Sequence, residues 1–400
     1  MFGHIYVGPA AAAPSLPPSV NHNSDIYTLP LSLSTIHKSD ELRLTDGKSL
    51  NFDGHFFSPD ANGDHHEDES PHDVSPPIHL AYITLVDSAC SINMDTIFHG
   101  RGERGLKRLR MPIVFNGVGG SGWEALYKPS VVKNAVIYGS THPDPGQKRS
   151  AVYLTDLKTG STRSLTPDGH ADFTPAVSPS GLWTAVASHG EWRGWDPVVE
   201  GEEEDPHTDI FVFKTRDGSE RVKLVERGGW PSWADESTLY FHRKSDDGWW
   251  SVYKATFPGT ASARETGSVE AVRITPPGLH AYTPAAVNPT SVAVTTRRVG
   301  SEFRHVELFN VESNQFTELT RLVSPEAHHI NPCVSPDGKR VGYQRSREEE
   351  ESGSVVMNVE RPSRRVSPLP SRGLPGVFGW DMDRNIDTFD FSDPDNEGLK

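Results

Sequence analysis

Apolar and polar residues alternate in short segments along most of this chain, and turn residues separate the segments. One segment, 183–188, places Trp183, Ala185 and Ala187 on one face, and another, 238–242, is apolar at its centre. Segments of this length and pattern predict half-buried or buried strands. The residues before these segments are rich in Pro, Ser, Asp and Gly. They predict turns, because proline fixes the φ of a turn's second residue. The pattern therefore predicts an all-β chain.

The turn phrase recurs with a regular period. Pro175-Ala-Val-Ser-Pro-Ser-Gly181 and Pro332-Cys-Val-Ser-Pro-Asp-Gly338 are close copies, and degenerate copies begin at Pro231 and Pro284. The prolines are spaced about 50 residues apart, and such a period indicates radial or solenoid repetition. Each period predicts four antiparallel strands, which make one blade of a β-propeller. Third strands are predicted at 150–154, 209–213, 250–253, 305–309 and 354–357.

The expected number of blades depends on both ends of the chain. Residues 25–45 predict third and fourth strands without partners, and residues 374–389 predict first and second strands, so together they predict a composite seventh blade. Such a joint hides both sheet edges, which otherwise invite aggregation. We expect six to eight four-stranded blades, with seven as the central value, a flexible tail over 1–24, the propeller over 25–391 and a C-terminal tail over 392–400. The six other repeats start near His55, Trp123, Pro175, Pro231, Pro284 and Pro332.

These phrases resemble those of TolB-like propellers and of the N-terminal propeller domain of dipeptidyl-peptidase-IV-like proteins, most closely a plant group of such proteins. The resemblance runs from about Asp25 to Val366, and its most specific stretches are Ala171–Gly181, Gly229–Trp233 and Thr320–Val323. It implies a WD-like repeat protein. Family members usually carry further repeats beyond the point where this chain stops, so a truncated accessory propeller is one interpretation.

Composition limits which cellular compartment and which classes of binding partner we expect. A net charge of −15 argues against nucleic-acid binding, which needs clustered Lys and Arg, and we interpret the basic stretch Arg101–Arg110 as a solvated loop. No apolar window of about eighteen residues predicts a membrane span. Residues 1–20 lack the basic start of a signal peptide, and two lone cysteines, Cys90 and Cys333, favour a reducing compartment. We expect a cytoplasmic monomer, and the family resemblance leaves an extracellular or cell-wall location open.

The sequence contains no complete catalytic motif. A serine hydrolase needs Gly-x-Ser-x-Gly at a strand-to-helix turn, and Ser121 comes nearest, but Trp123 occupies the place of the last glycine. The metal motifs His-Glu-x-x-His and Cys-x-x-Cys do not occur. The acidic inserts Asp64–Glu69 and Glu200–His207 lack a positioned turn glycine, so we interpret them as solvated segments. The sequence predicts no enzyme, no cofactor and no bound metal.

Candidate binding residues precede the repeat prolines. In a propeller the loops that enter the innermost strands gather at one mouth of the central channel. The candidates are His170, Asp172, Trp230, His280, Tyr282, His328 and His329, with Asn51 and Asp53 at the corresponding place in the first repeat. A partial ring of histidines would bind an anionic ligand at low pH, a transition metal or a peptide. The alternative interpretation is that they cap turns and bond to neighbouring blades.

The leading functional hypothesis is a non-catalytic scaffold that binds a protein or peptide partner through the channel mouth or an acidic rim. It rests on the repeats and the missing catalytic motifs, because a fold by itself does not define a function. Two alternatives stay open. One is a hydrolase or lyase that uses His and Asp as acid and base in the funnel, and the other is an accessory propeller of a longer dipeptidyl-peptidase-like chain.

Overall fold

Six four-stranded antiparallel sheets form a ring. The inner strand of each sheet contacts the inner strand of the next sheet, and the sixth sheet returns to the first. This arrangement is a closed six-bladed β-propeller around a central channel, as the repeat phrases predict. The structure, a computed structural model, describes residues 24–32, 35–58, 77–86, 89–99, 104–111, 126–140, 143–144, 147–148, 150–191 and 208–346.

Strands are numbered in chain order, and most blades run from the inner to the outer strand along the chain. Two strands, β1 (Ser24–Pro30) and β2 (Leu42–Arg43), precede the first complete blade. Blade 1 contains β3 (Leu50–Phe56), β4 (Ile78–Val86), β5 (Ala89–His99) and β6 (Arg104–Met111). Blade 2 contains β7 (Leu126–Val132), β8 (Ala135–Ser140), the short hairpin β9 (Pro143–Asp144) and β10 (Gln147–Lys148), then β11 (Ala151–Asp156) and β12 (Thr162–Ser164).

Blades 3 to 5 repeat this plan, with one short helix inserted in blade 4. Blade 3 contains β13 (His170–Val177), β14 (Trp183–Glu191), β15 (Asp209–Lys214) and β16 (Val222–Val225). Blade 4 contains β17 (Gly229–Trp233), β18 (Thr238–Lys244), β19 (Trp250–Thr256), helix α1 (Thr260–Thr266) and β20 (Ala271–Arg273). Blade 5 contains β21 (Leu279–Asn288), β22 (Ser291–Arg298), β23 (His305–Asn310) and β24 (Gln315–Glu318), and the last two described strands are β25 (His329–Val334) and β26 (Arg340–Ser346).

Blade 6 joins the two ends of the described chain. Its strand order is β25-β26-β1-β2, and β1 pairs with β26 from Ser24 opposite Ser346 to Pro30 opposite Arg340. The predicted composite blade is therefore confirmed, but the predicted pairing of 25–45 with 374–389 is wrong. Both edges of β1 are occupied by β26 and β2, so the repeat that starts at Pro332 obtains its third strand from the N-terminal segment. The composite blade is the sixth, and the ring has six blades rather than seven.

The joint in blade 6 combines apolar packing with a buried ionic cluster. Leu29 is fully buried and packs with Tyr27 and Tyr343, together with side chains of blade 5. Tyr343 Oη donates to Glu41 Oε1 at 2.5 Å, and Arg345 Nη1 donates to Glu41 Oε2 at 2.5 Å. The Arg345 guanidinium lies 3.8 Å from the centre of the Tyr27 ring. These contacts tie β1, β26 and the segment between β1 and β2 together.

One further sequence prediction is wrong, and several others concern residues outside the described part of the chain. The basic stretch interpreted as a loop is a strand over most of its length, because β6 pairs with β5 from Arg104 to Met111. The acidic inserts 64–69 and 200–207, the predicted strand 354–357, residues 1–23 of the predicted tail 1–24 and the predicted tail 392–400 lie outside the described residues. Ser24, the last residue of the predicted N-terminal tail, is the first residue of β1. None of the helices in the described part of the chain has the length and apolarity to cross a membrane.

Candidate functional site

Every inner strand is interrupted at the same place by a bulge. In each blade two inner-strand residues oppose one residue of the second strand. These pairs lie between Phe52 and His55, Tyr127 and Ser130, Phe173 and Ala176, Gly229 and Ser232, Tyr282 and Ala285, and Ile330 and Cys333. A bulge bends the strand and re-aims the side chains at that point. Six equivalent bulges on the six innermost strands therefore form a ring around the channel.

The first residue inside each bulge has a left-handed backbone. The six residues are Asp53, Lys128, Thr174, Trp230, Thr283 and Asn331, with φ between 42° and 53°. This conformation is unfavourable for a residue with a side chain, above all for β-branched threonine, and each instance costs on the order of 1 to 3 kcal/mol. A proline follows in five blades, and Gly54 follows in blade 1. We call these six residues the bulge ring.

Lys128 reaches from blade 2 to blade 4 within this ring. Its Nζ donates to Pro231 O at 3.0 Å, and it lies 4.6 Å from the centre of the Trp230 ring. Lys128 belongs to blade 2 and Trp230 to blade 4, so blade 3 stands between their strands. A side chain reaches from blade 2 to blade 4 only through the central space. This contact places the Lys128 ammonium in the channel.

Asp53 supplies the opposite charge in the bulge ring. Its Oδ2 accepts from the backbone N–H of Lys128 at 3.0 Å, and its Oδ1 accepts from Asn331 Nδ2 at 3.3 Å. Burial raises the pKa of Asp53, against the lowering effect of these partners. Burial also lowers the pKa of Lys128 to about 7, and the Asp53 carboxylate opposes that shift. The protonation state of Lys128 therefore changes near neutral pH.

His242 lies beside the bulge ring and has a defined tautomer. The backbone N–H of Thr283 donates to its Nδ1 at 3.1 Å, so the hydrogen of the neutral ring is on Nε2. Burial, with a smaller contribution from the Lys128 charge, lowers the pKa of His242 to about 3. Its Nε2 and Thr174 Oγ1 are both buried and have no hydrogen-bond partner within the described part of the chain. The channel thus contains unused hydrogen-bond donors.

The histidines predicted from the sequence bond to backbone near the channel mouth. His280 and His328 are each four residues before a repeat proline. Each Nδ1 accepts a backbone N–H of the preceding blade at 3.3 Å, from Trp250 and from Arg304 respectively. His170 Nδ1 lies 3.2 Å from the carbonyl of Asp168 in its own turn. These contacts are those of the capping and bridging interpretation.

The other predicted residues are in different surroundings. Asp172 is fully buried and holds Arg221 through two bonds of 2.7 and 3.0 Å. His329 is also fully buried, with its Nδ1 3.2 Å from Nδ1 of His305, which differs from the exposed position that a rim residue would have. The Tyr282 ring is buried 5.7 Å from that of Trp250. Of the predicted set, Trp230 contacts the Lys128 side chain, and Asp53 accepts from the Lys128 backbone N–H.

Sequence reasoning missed most of the bulge ring. Lys128, Thr174, Thr283 and Asn331 were not candidates, and Asp53 was aligned with the mouth histidines although it is equivalent to Trp230. The signal was present, because each residue directly precedes the repeat proline or its counterpart. It was hidden in blade 2, where the phrase begins at Pro129 and not near Trp123. Within the ranges that the structure describes, no group of three His, Cys, Asp or Glu side chains is arranged to hold a metal ion.

Comparisons with known proteins return propellers. No protein-family model matches the sequence, and no curated protein matches it either. A putative TolB from Agrobacterium tumefaciens is 15% identical, with a TM-score of 0.49, over 82% of this chain and 99% of that one. TolB from Acinetobacter baumannii is 17% identical, with a TM-score of 0.43, over 70% and 66% of the two chains.

A third solved structure comes from a protease. The β-propeller domain of the Trilobed protease from Pyrococcus furiosus is 9% identical, with a TM-score of 0.37, over 66% of this chain and 75% of that one. The chain is thus similar to solved structures of the TolB and protease-propeller kinds that the repeat phrases also resemble. The six-bladed ring itself rests on the strand order described above.

Proposed function

We propose that the chain is a non-catalytic propeller that binds a peptide segment of a protein partner in its central channel. One observation carries this proposal: the bulge ring holds Asp, Lys, Thr, Trp, Thr and Asn at six structurally equivalent positions. A residue that only maintains the blade fold should be the same in each blade, as the following proline is in five of them. A position that differs in nearly every blade gives the channel its own chemistry.

The chemistry of the ring suits a peptide. Trp230 offers an aromatic surface, Lys128 and Asp53 offer both signs of charge, and Thr174 and His242 offer buried donors. Sites that combine an aromatic wall with a few placed polar groups are typical for ligand binding. The strained backbone at all six positions also favours a functional interpretation, because such strain clusters at ligand-binding sites.

A library of random hexapeptides tests the proposal. We expect immobilised protein to retain a distinct peptide set, and Lys128→Met to lose most of that set while melting close to the wild type. Lys158→Met is the matched control, because Lys158 is exposed on the turn before β12. A triple variant, His170→Ala, His280→Ala and His328→Ala, separates channel from mouth. If the triple variant lost the retained peptides and Lys128→Met kept them, channel binding would be contradicted.

An enzymatic alternative has one observation in its favour. The pKa of Lys128, lowered by burial to about 7, is in the range that suits a general base at neutral pH. The same library distinguishes the two functions, because a binding protein returns its peptides intact. Retained peptides that are recovered cleaved, with cleavage abolished by Lys128→Met, would favour a hydrolase.

A further inference from the structure

Among the described residues, three groups at or beside the bulge ring have hydrogen-bond donors without a partner. Lys128 has three N–H donors, and one of them is used by Pro231 O. The His242 Nε2–H and the Thr174 hydroxyl are buried without a partner among the residues that the structure describes. The acceptor oxygens of Asp53, in contrast, already receive Lys128 N and Asn331 Nδ2. A ligand that completes this channel must bring acceptors, and an anion brings the strongest ones.

The placement of these donors follows from the order of the blades. Lys128 reaches from blade 2 to blade 4, and Thr174 holds the bulge-ring position of blade 3 between them. His242 is on β18 of blade 4 and bonds to Thr283, the bulge-ring residue of blade 5. The three donors thus belong to consecutive blades in one half of the ring. Asp53 and Asn331 occupy the opposite half, in blades 1 and 6.

The charges around Lys128 make this half of the channel sensitive to an added anion. The titratable groups that face its ammonium are Asp53, His55 and His242. The Lys128 charge contributes, after burial, to lowering the pKa of His55 to about 4 and that of His242 to about 3, so both histidines are neutral at pH 7. The lysine thus changes charge near neutrality while both histidines stay neutral, and a bound anion stabilises its protonated form.

We propose that Lys128, Thr174 and His242 bind a carboxylate, and that the peptide partner supplies it as its C-terminal carboxyl group. This inference rests on the proposed function for the source of the carboxylate, but not for the site. A chain end fits better than a side chain of a threaded peptide, because Lys128 narrows the half of the channel between blade 2 and blade 4. A terminal carboxylate reaches this residue without the rest of the peptide having to pass it.

Small probes test the site without any peptide. The full-length protein is treated with an amine acylating reagent at several pH values, and modification of Lys128 is followed by mass spectrometry with N-acetylglycine, its amide or inorganic phosphate present. We expect N-acetylglycine to slow the modification of Lys128 and to leave Lys158 unaffected, with protection weakening as the pH rises above about 7. Equal protection by acid and amide, or none by the acid, would overturn the carboxylate site. Stronger protection by phosphate would overturn the choice of carboxylate.

Paired peptides then test the source. Hexapeptides retained by the protein are synthesised as free acids and as C-terminal amides, and their affinities are measured for wild type, Lys128→Arg and Lys128→Met. We expect amidation to weaken binding at least about tenfold, equal to 1.4 kcal/mol, and Lys128→Arg to keep the difference that Lys128→Met removes. Amides that bind as well as acids would reject the chain-end assignment and leave peptide binding in place. N-acetylglycine protection without any retained peptide would reject the proposed function but not the carboxylate site.

Discussion

The joint in blade 6 predicts an unequal response to one kind of substitution. Leu29→Ala removes a fully buried side chain from β1, the strand that closes the ring. Leu239→Ala makes the same change at a fully buried position of β18, within a blade that is continuous in sequence. Leu182→Ala makes it at a side chain that is 62% exposed. The three variants differ in surroundings and not in chemistry.

The expected magnitudes follow from burial. Removing three buried carbons forfeits roughly 2.4 kcal/mol of transfer free energy, at about 0.8 kcal/mol for each. The cavity left behind adds to this, so Leu29→Ala and Leu239→Ala should each lower the free energy of unfolding by about 3 to 4 kcal/mol. Domains of this kind are stable by roughly 5 to 15 kcal/mol. Leu182→Ala should change it by less than about 0.5 kcal/mol.

Hydrogen exchange distinguishes the joint from the rest of the ring. Denaturant unfolding gives the stability of each variant, and exchange followed by mass spectrometry gives local opening. We expect Leu29→Ala to accelerate exchange in β1 and β26 before the other blades, because those strands are held by pairing between distant parts of the chain. Leu239→Ala should accelerate exchange in blade 4. If Leu29→Ala behaved like Leu182→Ala, β1 would not be the closing strand and the joint would be wrong.

Three further predictions concern buried groups. Asp172→Asn leaves Arg221 without its carboxylate and should cost about 3 to 5 kcal/mol in denaturant unfolding; a cost below about 1 kcal/mol would contradict a structural ion pair. Gly342→Ala places a Cβ 2.7 Å from Phe56 Cε2 and 2.8 Å from Cys333 Sγ, so we expect about 1 to 3 kcal/mol of destabilisation and partial recovery on adding Cys333→Ala, whereas an unchanged melting temperature would exclude the crowding. Burial lowers the pKa of His242 from 6.5 to about 3 and that of His305 from 6.5 to about 4. Between the folded and unfolded pKa values the unfolded chain therefore binds more protons, so the free energy of unfolding should fall as the pH drops below about 6.5. His242→Asn, which keeps an acceptor for the Thr283 N–H, should make that fall less steep.

The repeat pattern predicted the blades because each blade is a local structure. The alternation in 183–188 and the turn at Pro179 belong to neighbouring strands, so a short window of sequence contains the signal. The sequence predicted a blade that combines strands from both ends of the chain, but it predicted the wrong partner segment for β1. Pairing of Thr28 with Gly342 is a choice among distant segments with similar patterns, and strand periodicity does not distinguish them.

The candidate site was harder to predict for a different reason. Whether a residue before a proline faces the channel depends on the bulge, and a bulge is a property of the pairing of two strands. The role of Lys128 depends on Trp230 and Pro231, which lie two blades away in the ring. The mouth histidines stood out in the sequence as a residue type. Their Nδ1 atoms bond to backbone instead, a role that their composition does not reveal.

The closing strand sets the order of events during synthesis. Thr28 Oγ1 donates to Val341 O across 313 residues, and at roughly 5 to 20 residues per second a ribosome needs about 15 to 60 s to make that length of chain. Throughout this time β1 is outside the ribosome while its partner strand β26 has not been made. Its apolar residues Ile26, Tyr27 and Leu29 therefore stay exposed to solvent for this period. Slower translation of blades 1 to 5 would lengthen this exposure, whereas a circular permutant that begins at blade 1 and places β1 after β26 would remove it.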